Sequence, residues 1–211
     1  MKLTLIIALM VSLTACQSVY YSAWEKVGVE KRDILVDRVE DAKESQEEAQ
    51  QQFSSALDQF SQLINFKGGD LQDVYQQLKG EYEASDGSAS RVSRRIDKVE
   101  AVAEALFDEW QEELEKYSSN TLRRDSHNKL KDTQRRYKSL LKAMRKAEST
   151  MAPVLSALQD NVLYLKHNLN ASAVGALQGE FKGIEQEIER LIKEMKTAIS
   201  QSNDFISSMK S

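Results

Sequence analysis

Residues 173–209 read AVGALQGEFKGIEQEIERLIKEMKTAISQSNDFISSM, and their spacing decides the fold. Val174, Leu177, Phe181, Ile184, Ile188, Leu191, Met195, Ala198, Ser202, Phe205 and Met209 follow one another in steps that alternate three and four without a slip. A strand would show a period of two. A sustained period of about 3.5 marks a helix that packs along its whole length, one apolar seam against others. Such a seam is narrow and cannot be buried by one helix alone, so the neighbours must be sought in the rest of the chain.

The preceding residues supply them. Leu130, Tyr137, Leu140, Met144, Ala147, Met151, Val154, Leu158, Val162, Leu165 and Leu169 form the seam of a helix expected over 121–169. Pro153 lies inside that pattern without shifting its phase, which predicts a kink there and not an end. Asn168-Leu169-Asn170-Ala171-Ser172 is the turn into the last helix. Ser118-Ser119-Asn120 is a tight connection with a good N-cap, so the 121–169 helix returns antiparallel to one expected over 90–117. That helix has the seam Val92, Ile96, Val99, Ala103, Leu106, Trp110, Leu114 and Tyr117. Ser85-Asp86-Gly87-Ser88 reads as a turn. Before it comes a shorter helix over 71–84, capped by Asp70 and carrying Leu71, Val74, Tyr75, Leu78 and Tyr82.

A first long helix is expected over 24–66. Its seam is Leu35, Val39, Ala42, Gln46, Ala49, Phe53, Ala56, Phe60 and Leu63, and Lys67-Gly68-Gly69 ends it. Gln46 and the alanines make its middle thin. At about 1.5 Å per residue the long helices would each span roughly 50 to 75 Å. The 71–84 and 90–117 helices together match the first in length. The expected fold is therefore all-α: an elongated antiparallel helical bundle, or coiled coil, of four to five helices running up-down-up-down, with one strut in two pieces.

The N-terminus is of a different kind. Met1-Lys2 is a minimal positive start, and Leu3 to Thr14 is an apolar run of about a dozen residues, short of the roughly 20 needed to span a bilayer. Leu13-Thr14-Ala15-Cys16 then places the chain's one cysteine directly after a small residue. This pattern reads as a lipobox, with a signal peptide over 1–15, cleavage before Cys16, and acylation of Cys16 by a diacylglycerol thioether and an amide-linked, palmitate-type chain. Two or more chains anchor stably where one does not. Gln17 in place of Asp favours outer-membrane sorting on the periplasmic face. Residues 16–22 would be a lipidated tether, and 23–211 a single elongated bundle domain. Tyr20, Tyr21 and Trp24 suit either the headgroup level or packing on the first helix.

Composition agrees with long helices. Charged residues make up 29 % and aromatics 7 %, with one proline in 211 residues. The net charge of −4 argues against nucleic acid as a partner. With Cys16 acylated no thiol remains for a disulfide.

Charge also suggests a register. Residues 97–115 are strongly acidic and 123–146 strongly basic, so folding at Ser119 would bring Glu113 and Glu115 near Arg123 and Arg124, Glu104 near Arg135, and Glu100 near Lys138. The basic face Arg135, Arg136, Lys138 and Lys142 is the first candidate contact surface, for lipid phosphates, an anionic polymer or an envelope protein. Pairing with the acidic helix is the competing reading. The second candidate is the ladder Gly175, Gly179 and Gly183, which lies off the seam. Three helical glycines, each costing about 1 kcal/mol against alanine, suggest close approach of another backbone, from the bundle itself or from a partner. His127 and His167 have no metal-ligand spacing around them. No phosphate loop, dinucleotide fingerprint or nucleophile elbow is present, so no catalytic residue, cofactor or metal is expected.

Several stretches carry a resemblance. They are Cys16-Gln17-Ser18, Tyr20-Tyr21-Ser22-Ala23, Glu25-Lys26-Val27-Gly28, Lys31-Arg32-Asp33-Ile34-Leu35-Val36, Phe66-Lys67-Gly68-Gly69-Asp70-Leu71, Ala105-Leu106-Phe107-Asp108-Glu109-Trp110 and the run from Val162 to Asn170. Over nearly the whole mature chain the sequence resembles an uncharacterised family of bacterial lipoproteins, domain of unknown function family 2959. The resemblance implies a Gram-negative source and an envelope location, and brings no activity, cofactor or partner.

The functional expectation is a non-enzymatic outer-membrane lipoprotein, a helical spacer or adaptor with the membrane and an envelope protein as partners. The alternative is a periplasmic carrier or chaperone that holds a lipid or an unfolded chain in a groove lined by Phe53, Phe60, Phe107, Trp110 and Phe181. A filled seam favours the first, and a continuous apolar groove of several hundred Å² the second. A covalent tether to the cell wall is disfavoured, because Lys210 is penultimate.

Overall fold

Leu35, Val39, Ala42, Gln46, Ala49, Phe53, Ala56, Phe60 and Leu63 are all fully buried, so the seam of the first helix is the inner line of the molecule. The computed structural model describes residues 30–65, 68 and 70–210. The leader, Cys16, Tyr20, Tyr21, Trp24, Phe66, Lys67 and Gly69 lie outside the described residues. Among the described residues there are five helices and no strand: α1 (Lys31–Ile64), α2 (Leu71–Leu114), α3 (Asn120–Ser149), α4 (Met151–His167) and α5 (Ala171–Lys210).

The helices make four struts. α1 packs on α2 and α5. α2 packs on α1 and on the α3–α4 strut, and α5 closes the ring against that strut. Side-chain links set the α1–α2 register: Lys31 with Glu109 at 2.9 Å, Asp41 with Arg95 at 2.7 Å, and both Gln52 and Ser55 with Glu81. The partner numbers fall as the α1 numbers rise, so the two run antiparallel. At the far end of α1, Gln178 Nε2 donates to the Ile64 carbonyl at 2.8 Å. That carbonyl has no acceptor role left inside its own helix, so α5 caps α1.

The caps read from the sequence are in place. Asp70 accepts from the Gln72 amide at 2.8 Å, and the Ser119 hydroxyl accepts from the Leu122 amide. Asn170 Oδ1 accepts from the Ala173 amide at 3.1 Å. Gly68 has φ +142°, a value that favours glycine, in the connection from α1 to α2.

Three expectations are corrected. Ser85-Asp86-Gly87-Ser88 is not a turn: α2 runs through it, with Ser85 and Ser88 buried. The 3–4 alternation passes from Tyr82 to Ser85, Ala89 and Val92 unbroken, and burial of that seam outweighs the poor helix propensity of Gly87 and Asp86. The two-piece strut is instead the one expected over 121–169. Its helix is interrupted at Thr150, where the amide donates to Ala147 O, three residues back. Pro153 has no amide to donate to Ser149 and its ring crowds that carbonyl, so the disturbance falls in the turn before the proline. The Thr150 hydroxyl also donates to Ala147 O, at 2.6 Å, which holds the tightened turn. Finally, Tyr117 and Leu169 are exposed, because α2 ends at Leu114 and α4 at His167, before either residue could complete its seam. The first helix begins at Lys31, after Glu30 in an extended conformation, and ends at Ile64.

Among the described residues, two polar side chains sit in the seams without a partner. Gln46 is 0 % exposed, and neither its Nε2 nor its Oε1 has a hydrogen bond. The Ser85 hydroxyl is buried in the same way. Both lie between the Asp41–Arg95 and Ser55–Glu81 links, at the middle of the rod.

Candidate interaction surfaces

The basic stretch of α3 divides in two. Arg135, Arg136, Lys138 and Lys142 are exposed. Arg135 pairs with Asp132 one turn away on its own helix, at 2.9 Å. Arg135 and Arg136 line a shallow hollow of about 270 Å³ with Ser139, Gln201, Asp204 and Phe205, so they border α5. The expected links of Glu104 to Arg135 and of Glu100 to Lys138 are absent among the described residues. Arg145 takes their place. It bonds Asp97 at 2.7 Å, Glu148 at 2.9 Å and also Glu100. Arg145 lies seven residues beyond Lys138, and its side chain leans back toward the start of α3, as helical side chains do, which brings it level with Asp97 and Glu100. Near the hairpin, Glu115 does share a hollow with Arg123, Arg124 and His127, as expected from folding at Ser119.

Burial alone would lower the Arg145 guanidinium, but its hydrogen bonds to Glu148, Asp97 and Glu100 outweigh this and hold it above its ordinary value. Tyr137, next to that network, packs edge-on against Phe107 at 5.3 Å and Phe205 at 6.4 Å, joining α2, α3 and α5. Burial, with Glu100 and Glu104 nearby, pushes its phenol up to about 12.

The glycine ladder faces outward. A Cβ at Gly175, Gly179 or Gly183 would meet nothing within 4 Å. The close approach expected from the bundle's own helices is therefore not there. Beside the ladder, Ala157, Asp160, Asn161, Tyr164, Ala176, Leu177, Glu180 and Ile184 line a hollow of about 460 Å³ between α4 and α5. Leu163 and Tyr164 are exposed on α4 at the same end. His127 is half-buried, and His167 is exposed as the last residue of α4.

The aromatic residues assigned to a groove do not form one. Phe53 and Phe60 are fully buried, Phe181 stacks on Phe60, and Phe107 packs on Tyr137. The Trp110 Nε1–H donates to Ser126 Oγ at 2.8 Å, tying α2 to α3. Among the described residues no three His, Cys, Asp or Glu side chains are placed to hold a metal ion. No described helix is long and apolar enough to cross a membrane. The features that sequence reading missed are Arg145 as the hub of the α2–α3 contact and the unpartnered pair Gln46 and Ser85. The first was visible only as one charge among many, the second as polar residues in phase with a seam.

No curated protein matches the chain. A family model described as a protein of unknown function, DUF2959, matches residues 20–209, and the chain belongs to that family.

Proposed function

We propose that this chain is an outer-membrane lipoprotein, anchored through Cys16 and facing the periplasm, whose bundle serves as a non-enzymatic spacer or adaptor. The observation that carries the reading is the filled seam of α1, closed from Leu35 to Leu63. A molecule built to admit a lipid or an unfolded chain needs an apolar opening between its struts. A rod that holds two envelope components apart needs the opposite, a packed interior and a length set by its helices. α2 alone has 44 residues, about 66 Å at 1.5 Å each. The leader and the lone cysteine after Ala15 support the anchor.

The carrier reading finds support in the hollow between α4 and α5, with Leu177 and Ile184 in its wall. Its volume is at the small end for a ligand site, and acidic Asp160 and Glu180 stand on it.

The test is intact mass and membrane fractionation of wild type and Cys16→Ala in a Gram-negative host. The expected result is an acylated, outer-membrane wild type and an unacylated variant that leaves that fraction. A soluble, unmodified wild type would overturn the anchor. In-cell crosslinking from Arg136 and from Gly179 then identifies the partner, and lipid in an organic extract of the purified protein would favour the carrier.

A further inference from the structure

The hollow between α4 and α5 is polar in one sense only. Asn161 belongs to its lining and is 6 % exposed. The Asn161 Nδ2 donates to the Ala157 carbonyl, one turn back on the same helix, at 2.6 Å. That contact fixes which end of the amide is which, because a carbonyl oxygen can only accept. Oδ1 is the end left over, and among the described residues no N–H or O–H donates to it. Unlike both ends of the Gln46 amide it is not sealed off, and the space its side chain lines is the hollow. Asp160 lines the hollow from α4 and Glu180 from α5, and neither carboxylate has an ion pair among the described residues. None of the lining side chains is basic. The strong hydrogen-bonding groups on offer are thus acceptors, two of them charged, set beside the apolar wall of Leu177 and Ile184.

We propose that this hollow binds a primary alkylammonium ion, its ammonium held by Asn161 Oδ1, Asp160 and Glu180 and its chain laid along Leu177 and Ile184. An ammonium carries three N–H donors and no acceptor, the complement of what the lining offers. A fatty acid or a lipid phosphate would bring a further negative charge beside two carboxylates. A metal ion finds too few ligands, since among the described residues no three His, Cys, Asp or Glu side chains are placed to hold one. The volume of about 460 Å³ suits a short chain. The glycine ladder supplies the approach. Gly175, Gly179 and Gly183 each stand one residue before Ala176, Glu180 and Ile184, and a Cβ on any of the three would meet nothing within 4 Å. A row without side chains therefore borders the hollow and leaves that flank open. The site does not depend on acylation of Cys16, so it stands or falls apart from the anchor proposed above.

The test is methyl NMR of the full chain in a neutral detergent, labelled at the isoleucine δ1 carbons, with hexylammonium as the probe. Ile184 reports on the hollow, and Ile206, near the other end of α5, on any general effect of the probe. The expected result is a saturable shift of Ile184 in the millimolar range with Ile206 unmoved. Hexanoate, of opposite charge, and hexyltrimethylammonium, a cation with no N–H, should each bind at least about ten-fold more weakly. Asp160→Asn combined with Glu180→Gln should weaken hexylammonium binding about five- to ten-fold; both side chains are exposed, so the fold is kept. Asn161→Leu should weaken it by a similar factor. If that variant disturbs the fold, seen as movement of Ile206 before any probe is added, the comparison with hexyltrimethylammonium tests Oδ1 by itself. A shift of Ile184 that never saturates, or that Ile206 matches, overturns the proposal, since the probe would then only partition. Equal binding of either comparison ion overturns it as well, and so does unchanged affinity in the variant lacking both carboxylates.

Discussion

Phe60 on α1 and Phe181 on α5 stack with ring centroids 5.8 Å apart and planes 7° from parallel. With the Gln178–Ile64 hydrogen bond one turn away, this pair fastens the end of α1 to the start of α5. Phe60→Ala should cost about 3 to 5 kcal/mol, because Phe60 is fully buried. Phe181→Ala should cost less, since that ring is half-exposed. A double-mutant cycle in urea should return a coupling of about 0.5 to 1.5 kcal/mol. Additive losses would mean that the rings do not act as a pair.

Gln46 should respond in the opposite direction. Its amide is desolvated and unpartnered, a condition that costs about 1 to 3 kcal/mol. Gln46→Leu keeps the volume and removes the polar atoms, so the midpoint of thermal unfolding should rise. A polar residue on a seam also specifies register and strand number at the expense of stability. The more stable variant should therefore show a broader distribution of oligomers in size-exclusion chromatography with light scattering.

Arg145 and Arg135 differ sharply despite equal charge. Arg145→Ala removes bonds to Asp97, Glu100 and Glu148 and should lose about 1 to 2 kcal/mol, a loss that shrinks as salt is added. Arg135→Ala loses one exposed intrahelical pair and should change stability by less than about 0.5 kcal/mol. Equal effects in chemical denaturation would contradict the register described for α2 and α3.

Tyr137 predicts behaviour at high pH. Its folded value, raised to about 12 from 10, means that the folded state holds the phenolic proton more tightly than the unfolded chain does. The associated stability is present below pH 10 and is lost as pH rises from 10 through 12. Tyr137→Phe has no proton to lose, so its thermal midpoint should fall less than that of wild type across this window. Parallel curves for the two proteins would refute the assignment.

Gly179→Ala should stabilise the isolated protein. Nothing lies within 4 Å of the added Cβ, so the helix gains up to about 1 kcal/mol of propensity. A higher midpoint in the purified protein, together with weaker crosslinking in cells to the envelope partner proposed above, would locate close packing on that partner.

How much was legible depended on whether one repeat or several interactions made the decision. The nine seam positions of α1 were readable because burial there follows period alone, and even Gln46 obeys it. The continuity of α2 across Ser85–Ser88 was equally present in the period. It was obscured because Ser, Asp and Gly individually favour turns, and local chemistry was allowed to outweigh phase. The interruption at Thr150 was half legible: Pro153 announced a disturbance, whose site one turn upstream follows from where the proline ring meets the carbonyl. The pairing of Arg145 was not legible, since counting charges along two helices ignores the length and lean of each side chain. The glycine ladder was seen, but nothing in its spacing says whether the approaching backbone belongs to the same chain.

The unbroken phase of α2 governs how a rod of this kind can change size in evolution. One residue gained or lost within α2 would rotate everything beyond it by about 100° and throw its seam out of the bundle. Growth must come in sevens, matched in the facing struts, in increments of about 10 Å. The molecule is thus a ruler with whole-step graduations. The junction at Thr150 is its vernier, the one place among the described residues where a strut is already interrupted and an odd residue can be absorbed.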